Sequence, residues 1–461
     1  MIGKMKKNIS RRQLLRLLSA AGLGSAFASY TVADETGSEL PQKSVVPEGK
    51  LVPNANYPFY PAQIVNGKVI QPERGLPIYQ ETDVLVVGGG PAGFAAAISA
   101  ARAGVKTTII ERYGYFGGQW TGGLVLLVIS THAKENGKLI QVMQGIGGDL
   151  LERLSRYDEA IVNYGPGKFN PTTDPEATKY VMDEMVQEAG VKVLFHCWVA
   201  NVILNDNQVR GVVFESKSGR QAVLAKVVVD ATGDGDIFAA AGAEHEQRLH
   251  AIGLVHRLGN YDRTDLSKLQ EAGIKSLGAI EPLPSVRWVN LRGPSTDALD
   301  IAELSRLEIA HRKSIWKRVQ QLRKKPGGEK LFLLQAAPQL GVRITRLLGT
   351  AKKLTFAEAM AGRKFADTIG VGGAQNAHHA GWPIPYGTLV PKRLDGLLAA
   401  GRCINVDEKL IEDMRLIAPC LTTGHAAGAA AALAVRNNCR PRDVGIADLQ
   451  KLLTSQGAFL G

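Results

Sequence analysis

The hydrophobic pattern between residues 83 and 111 predicts one strand–helix–strand unit. Asp83 to Val87 is a short, almost wholly apolar run, which is typical of a strand buried in a parallel sheet. An alanine-rich helical pattern follows from about Pro91 to Ala103, and a second apolar run reaches Ile110 and ends at Glu111. Because parallel strands need a crossover between them, this order indicates an α/β fold.

Further apolar runs predict that the same sheet continues beyond this unit. Short strand patterns joined by polar turns form a β-meander, and a following run enters the small-residue turn Thr232–Gly235. A last strand lies within residues 394–404, and a glycine-started, alanine-rich helix follows over 421–435. The other predicted elements are helices over 148–157 and 174–189 and strands over 191–196, 198–204, 209–216, 221–226 and 227–229.

The middle of the chain, from about residue 246 to 382, has a different pattern. Strand-like runs are combined with one long helix over 296–323, which the Pro326-Gly327-Gly328 sequence ends. This mixture predicts an inserted α+β region. The outer face of the long helix is rich in lysine and arginine, which suits either a solvated surface or a partner contact.

The turn after the first strand carries three glycines in GxGxxG spacing: Gly88, Gly90 and Gly93. The first permits a tight turn, the second lets the backbone approach a pyrophosphate, and the third lets helix and strand pack closely. The helix that begins at Pro91 offers its N-terminus to the phosphates, and Glu111 is placed to accept ribose hydroxyls. The whole unit therefore predicts a dinucleotide site, with FAD and NAD both open at this point.

The formal charge of the 461-residue chain is +12, and a large share of it lies at the N-terminus. The first 28 residues contain no acid and six cations, Lys4, Lys6, Lys7, Arg11, Arg12 and Arg16. The rest of the chain is mildly basic and carries no nucleic-acid reader motif, so no nucleic-acid partner is predicted. The four cysteines, Cys197, Cys403, Cys420 and Cys439, lack metal-site spacing, so no metal site is predicted either.

The basic N-terminal segment resembles a twin-arginine export signal. The pair Arg11-Arg12 is followed by a modestly apolar run that ends in Ala26-Phe27-Ala28. This run is too short to span a bilayer, so we expect cleavage after Ala28 and no stable membrane anchor. The expected partner during export is the twin-arginine translocase, and the expected location is the periplasm or the medium. A basic arm that is not a signal is the alternative.

Four separated stretches together resemble FAD-dependent oxidoreductases of the glutathione-reductase-like superfold, including relatives of the heterodisulfide reductase flavoprotein subunit. They are VLVVGGGPAGFAAAISAARAG with the following ER and FGG, VVVDATGDGDIFAAAGAE, IPYGTLVPKRLDGLLAAGRCI, and MRLIAPCLTTGHAAGAAAALA. The resemblance spans about residues 80–440 and implies a Rossmann-like FAD-binding domain with a parallel sheet and a β-meander. It also implies that the middle region is an inserted α+β substrate or cap domain.

The resemblance assigns FAD as the cofactor and implies a set of cofactor-binding residues. These are Gly88, Gly90, Pro91, Ala92, Gly93, Glu111, Arg112, Gly117, Gly118, Gly233, Asp234, Gly401, Arg402, Gly424, His425, Ala427 and Gly428. Two positions depart from the pattern of the superfold. Gly401-Arg402 replaces the expected Gly-Asp, so the ribityl contact must come from elsewhere, and His425 replaces an expected glutamine in the last helix.

The predicted domain boundaries follow from these motifs. Residues 1–28 are assigned to the signal and 29–78 to a linker or arm. Residues 79–245 form the first part of the FAD-binding domain, 246–382 the substrate or cap domain, and 383–461 the return segment of the FAD-binding domain.

Candidate catalytic residues lie where the middle region meets the predicted flavin: His378 and His379 before GWPIPYG, and Arg343 and Arg346 in GVRITR. A histidine accepts a hydroxyl proton while hydride leaves, and arginines bind a carboxylate or stabilise an oxyanion. Structural roles for all four residues remain alternatives. The sequence thus predicts an exported enzyme that exchanges hydride between a small polar substrate, such as a hydroxy acid, an organic acid or a sugar, and FAD. The alternatives are a flavin monooxygenase, a flavoprotein that relays electrons to a redox partner protein, and a non-catalytic flavoprotein.

Overall fold

A seven-stranded sheet forms the centre of the computed structural model, which describes residues 61–135, 137–362, 364–373 and 380–461. The predicted histidines His378 and His379, and the predicted export signal, lie outside these described residues. The helices are α1 (Pro91–Arg102), α2 (Ile146–Leu154), α3 (Pro175–Glu188), α4 (Asp236–Ala240), α5 (Leu266–Glu271), α6 (Ile301–Arg323), α7 (Phe356–Met360), α8 (Glu408–Met414), α9 (Ile417–Arg436) and α10 (Ile446–Ser455). The strands are β1 (Gln63–Val65), β2 (Lys68–Ile70), β3 (Ile78–Val87), β4 (Thr107–Ile110), β5 (His132–Glu135), β6 (Lys138–Gln141), β7 (Ile161–Val162), β8 (Thr172–Thr173), β9 (Lys192–Leu194), β10 (Trp198–Asn205), β11 (Gln208–Ser216), β12 (Gly219–Asp230), β13 (His245–Gln247), β14 (His250–Ala251), β15 (Leu254–Gly259), β16 (Ala279–Ile280), β17 (Arg287–Leu291), β18 (Ser295–Thr296), β19 (Phe332–Ala336), β20 (Arg346–Leu348), β21 (Thr368–Gly372), β22 (Trp382–Pro385) and β23 (Leu397–Ala399).

The central sheet has the order β10-β11-β12-β3-β4-β9, and β23 also pairs with β12. Strands β9, β4, β3, β12 and β23 are parallel, whereas β10, β11 and β12 form the predicted antiparallel meander. Val87 pairs with both Ile110 and Asp230, and Asp230 pairs with Ala399. The sheet thus continues beyond the first unit, as the sequence predicted, and four carboxyl ends meet at one edge, which is the position where α/β sheets bind ligands.

Strand β12 corrects the sequence-based expectation of two separate strands at 221–226 and 227–229. It is one strand of 12 residues that changes partner along its length. Its first half pairs antiparallel with β11, and its last residues pair parallel with β23. A change of partner leaves no break in the backbone, so local sequence gave no sign that the two apolar runs were continuous.

The two apolar faces of the central sheet are both covered. The larger buried cluster joins one face of β3 and β12 to α1 and α9, and a second cluster lies on the opposite face. Helix α9 is apolar and long enough to cross a membrane, but 94% of its most apolar window is buried inside the protein. It is therefore the central core helix of the fold.

A second sheet of order β16-β17-β15-β19 is formed by the middle of the chain. The long helix α6 packs on it through Leu307, Ile315, Val319 and Leu322, which are buried, and begins at Ile301 rather than near residue 296. Its cap is Asp300, whose carboxylate accepts from two backbone N–H groups. This sheet forms the wall that faces the carboxyl edge of the central sheet.

Candidate functional site

A cavity of about 300 Å³ lies between the carboxyl edge of the central sheet and the second sheet. One wall includes Gly88, Glu111 and Gly401 from the strand ends of the central sheet. The opposite wall includes Val255 and Trp288 from β15 and β17. Residues that are far apart in sequence thus converge on a single cavity.

The glycine turn at one end of the cavity is built on very close backbone approaches. Gly88 has a φ of +99°, and a Cβ atom there would lie 2.5 Å from the carbonyl oxygen of Ala231. A Cβ on Gly93 would lie 1.7 Å from the carbonyl oxygen of Gly88, so α1 can pack on the turn only without a side chain. At Gly90, by contrast, the nearest atom to a Cβ is 4.0 Å away. The space beside Gly90 is therefore open toward the cavity.

Helix α1 points its N-terminus into this cavity. Gly90 is its N-cap, Pro91 opens the first turn, and no side chain caps it among the described residues. Pro91 and Ala92 both line the cavity. The first N–H groups and the positive end of the helix dipole are therefore available to an anion such as a pyrophosphate.

Glu111 is buried at the cavity end of β4, and both of its carboxylate oxygens accept a backbone N–H. Oε2 accepts from Gly89 at 2.6 Å, and Oε1 accepts from Tyr113 at 2.8 Å. Burial, the largest effect on it, raises the pKa of Glu111. A carboxylate has about four acceptor sites, so capacity remains for hydroxyl donors. Beside it, the Arg112 guanidinium lies 5.1 Å from the centroid of the Trp198 ring.

The loop that contains Gly117 and Gly118 packs directly on the glycine turn. The Gly117 N–H donates to the Gly89 carbonyl at 2.8 Å, and a Cβ on Gly118 would lie 3.0 Å from the Cα of Gly90. Of these two glycines Gly118 lines the cavity, whereas Gly117 lies behind it. The loop thus supports the turn as well as forming part of the cavity wall.

Arg402, which stands where the superfold carries an acid, is neutralised by an acid from the turn after the neighbouring strand. The Arg402 guanidinium forms an ion pair with Asp234 at 2.9 Å, and Asp234 also accepts from the Thr345 hydroxyl at 2.9 Å. Asp234 follows β12 in the turn that contains Gly233, and β12 is the partner of β23. Gly233, Gly401 and Arg402 line the cavity, while Asp234 lies behind Arg402.

The start of α9 corrects the sequence-based expectation. The helix begins at Ile417, not at residue 421, and Leu416 and Ile417 line the cavity. Within the described chain its N-terminus also has no side-chain cap. A second uncapped helix end, and its positive dipole, therefore points into the same cavity as α1.

The resemblance assigned four residues of this helix to the flavin: Gly424, His425, Ala427 and Gly428. Because the helix begins earlier than expected, these residues do not line the cavity. They are buried in the middle of α9. A Cβ on Gly424 would lie 2.0 Å from the carbonyl oxygen of Ala92, and one on Gly428 would lie 2.1 Å from that of Ala96. The small residues allow α9 to cross α1 at close range, which is a packing role.

His425 joins three helices through a buried hydrogen-bond network. Its Nε2 lies 2.8 Å from Oε1 of Gln456, the C-cap of α10, and this oxygen also accepts from the Ser99 hydroxyl of α1. Burial lowers the pKa of His425 to about 4. The Gln456 contact requires a proton on Nε2, so the neutral ring is held as one tautomer.

We expect the protein to lose stability as the pH falls from about 6.5 toward 4, partly because of His425. The unfolded state takes up a proton in this range while the folded ring stays neutral, so the lost stability approaches roughly 3 kcal/mol. The substitution His425→Gln retains a donor for Gln456 and should flatten this part of the profile. Urea unfolding at a series of pH values measures it, with exposed His245→Gln as the control. Parallel profiles for His425→Gln and the unchanged protein would exclude the role.

The second-sheet wall contains polar groups that the sequence did not single out. Trp288 is buried, and its Nε1 has no hydrogen-bond partner among the described residues. Asn290 of β17 also lines the cavity, as do Gln119 from the loop after Gly118 and Arg415 at the end of α8. Arg415 lies within a stretch that carried the family resemblance, but only the fold shows that it faces the cavity.

The two candidate arginines of the GVRITR run have different positions. Arg343 lines the cavity, where it donates to the Ala251 carbonyl at 2.7 Å and to the Asn290 side chain at 3.5 Å. Arg346 lies outside the residues that line it and forms an ion pair with Asp236 at 2.9 Å. The expectation that both arginines face a substrate is therefore corrected for Arg346, which holds the start of α4.

The chain is similar to several flavoenzymes over part or most of its length. It is 30% identical to the thiamine thiazole synthase of Metallosphaera sedula over 191 residues, which are 38% of this chain and 62% of that enzyme. It is similar in structure to a geranylgeranyl bacteriochlorophyll reductase-like protein from Thermoplasma acidophilum, with 17% identity, a TM-score of 0.45 and coverage of 82% and 83% of the two chains. It is also similar to the p-nitrophenol 4-monooxygenase of Pseudomonas putida, with 12% identity, a TM-score of 0.43 and coverage of 82% and 88%.

The chain also matches the model of a protein family over most of its length. The profile of the FAD dependent oxidoreductases matches residues 83–254 and 256–453, which include both strand groups of the central sheet and the second sheet between them. This coverage extends over most of the chain, well beyond the glycine motif alone. The chain belongs to the FAD dependent oxidoreductase family, and its cofactor is FAD.

Proposed function

We propose that the enzyme transfers hydride between a small polar substrate and FAD held along the described cavity. The observation that carries this proposal is the convergence of two uncapped helix N-termini, those of α1 and α9, on one cavity that also contains Glu111. A dinucleotide has an anionic centre and hydroxyl groups that match these features. When bound, FAD supplies the hydride chemistry.

The chain itself would hold the two ends of the cofactor differently. Gly88, Gly90 and Glu111 fit the adenosine diphosphate end, since they combine close backbone approach, free N–H groups and a ribose acceptor. Gly401 and the start of α9 fit the flavin end. There the positive end of the helix dipole favours negative charge on the ring system.

The second sheet would form the substrate side of the site, as an inserted cap within residues 246–382. Val255 and Trp288 provide an apolar wall that excludes water, and Arg343 provides a charged group for orienting the substrate. We also propose His378 and His379 as acceptors of the substrate proton, on their sequence position before Gly381 and Trp382. A flavoprotein that only relays electrons would need no wall that orients a substrate. The second-sheet wall therefore favours hydride transfer over electron relay.

The purified protein is expected to be yellow and to lose its flavin absorbance when a substrate is added without oxygen. Gly90→Val should lower the flavin content at least about tenfold while the protein stays folded, because the added side chain enters open cavity space rather than protein. The control is Gly75→Val at an exposed glycine with no atom within 4 Å of its Cβ position. A colourless protein that stays colourless after reconstitution with FAD would refute the proposal.

We further propose that the enzyme is exported by the twin-arginine route. The support is the order of basic, apolar and small residues that ends at Ala28. Changing Arg11 and Arg12 together to lysine is expected to keep the protein inside the cell with its signal uncleaved. Cell fractionation of a bacterium that has this translocase measures the result, and Lys6→Arg is the control. Unchanged export of the double variant would contradict the proposal.

A further inference from the structure

The residues that line the cavity carry an excess of positive charge. Among the described residues that line the whole cavity, four are arginines and two are acids: Arg112, Arg343, Arg402, Arg415, Glu111 and Asp236. Arg402 is paired with Asp234, and Asp236 is paired with Arg346. Arg112 lies over the Trp198 ring at the opposite end. The charge that remains to be neutralised is therefore that of Arg343 and Arg415.

Arg343 has no carboxylate partner among the residues that the structure describes. Its guanidinium has five N–H donors, and the observed contacts to Ala251 and Asn290 use two of them. Burial, and then the nearby charges of Arg415 and Arg292, lower its pKa. An arginine remains charged in proteins. The free-energy cost of this partly buried charge is therefore lowered by a bound anion and not by loss of a proton.

Arg415 is held in place by a carboxylate that is already shared. Its Nε donates to Oε2 of Glu412 at 3.0 Å, and its Nη2 also contacts that oxygen. The other oxygen of Glu412 lies 2.5 Å from Nε2 of His250. Glu412 therefore orients Arg415 but does not neutralise both arginines. The Nη1 group of Arg415 is left for a ligand in the cavity.

The chemistry of the two arginines is suited to an anionic, oxygen-rich ligand. The neighbouring Trp288 is 8% exposed and lines the cavity, but its Nε1 atom is itself buried, so the ring contributes apolar surface. The guanidinium groups of Arg343 and Arg415 match the acceptor oxygens of a carboxylate better than the hydroxyl groups of a neutral sugar.

We propose that Arg343 and Arg415 bind the carboxylate of the substrate, so that the enzyme acts on small organic acids rather than on neutral polyols or sugars. This inference rests on the proposed function of the same cavity. Glu412 is a positioning residue, because it acts on the substrate only through Arg415.

The test compares acids with their uncharged amides on the FAD-loaded protein. Acetate, propionate and succinate are expected to perturb the flavin absorbance and to raise the melting temperature, whereas acetamide, propionamide and succinamide should bind at least about tenfold more weakly. In the Arg343→Gln variant, the preference for acids over their amides should fall at least about tenfold. Arg343→Lys should restore part of this preference. Arg323→Gln, at the exposed end of α6, removes the same charge and should change neither readout.

The possible results separate this inference from the proposed function. If acids and amides bind equally, or if no acid binds to the flavin-loaded protein, the inference is overturned while the flavin site stands. If Arg343→Gln loses flavin instead, the arginine holds the cofactor and the inference is also overturned. If no flavin binds to the unchanged protein, the proposed function fails. The melting-temperature shift of the flavin-free protein with the same acids then decides whether the arginines bind carboxylates at all.

Discussion

Gly93→Ala is expected to destabilise the fold by more than about 4 kcal/mol and to yield little soluble, flavin-containing protein. The reason is geometric, since the added Cβ would lie 1.7 Å from the Gly88 carbonyl oxygen and 3.2 Å from the Ala231 side chain. Neither neighbour can withdraw easily, because Gly88 is itself fixed by a φ of +99° against Ala231. Soluble yield, urea unfolding and flavin absorbance measure the effect.

Gly90→Ala provides the matched control within the same motif. The backbone at Gly90 has a φ of −67° and a ψ of −177°, which alanine adopts without strain. Its Cβ would have no protein atom closer than 4.0 Å, so the free energy of unfolding should change little. Equal destabilisation by the two variants would show that the motif is generally intolerant of side chains. The distinction between Gly93 as a glycine required for packing and Gly90 as a glycine that faces the cavity would then be wrong.

The first strand–helix–strand unit was predictable because its signals are local. The β3 and β4 strands end where the apolar runs end, and α1 begins at Pro91 directly after the glycine turn. Asp174 likewise caps α3 through two backbone N–H groups, as expected for a helix predicted to begin there. In these elements the residues that set the boundary are neighbours in sequence.

The start of α9 was not predictable in this way. The sequence predicted a glycine-started helix over 421–435, yet the helix starts at Ile417 and accommodates Pro419 in its first turn. Gly424 is required by the crossing of α1, which is a tertiary contact between residues far apart in sequence. The glycine was recognised correctly as unusual, but the reason for it lies in another helix.

The candidate site shows the same division between local and non-local information. Glu111 and the glycine turn were identified from spacing alone, and the structure places them on one cavity. Trp288 and Arg415 were not singled out, because their places at the cavity depend on tertiary packing: Trp288 lies on β17 of the second sheet, and Arg415 lies between α8 and α9. The pairing of Arg402 with Asp234 depends on β12 and β23 being neighbours, which two distant stretches of sequence do not reveal.

A buried ion cluster connects the second sheet to the rest of the protein. The Arg257 Nε lies 2.9 and 3.0 Å from the two carboxylate oxygens of Glu281, and Nη2 lies 3.4 Å from the Asp174 carboxylate. The Arg257 and Glu281 side chains are 7% and 0% exposed. Asp174 is also the cap of α3, so the cluster joins β15 of the second sheet to a helix outside it. The three charges therefore link the cavity wall formed by the second sheet to α3.

We expect Glu281→Leu and Arg257→Met each to destabilise the protein by about 3–5 kcal/mol, because each leaves a buried charge without its main partner. The double variant should cost less than either single variant, since no uncompensated charge remains in the pair and the replacement side chains fill similar volume. Urea unfolding of the four proteins gives the coupling free energy. The exposed pair Arg306 and Glu303 on α6 provides the control, because Arg306→Met with Glu303→Leu should show little coupling. Purely additive effects at Arg257 and Glu281 would mean that the cluster does not hold the second sheet in place. Loss of flavin in the single variants, with recovery in the double variant, would instead show that the ion pair is needed for the cavity to keep its shape.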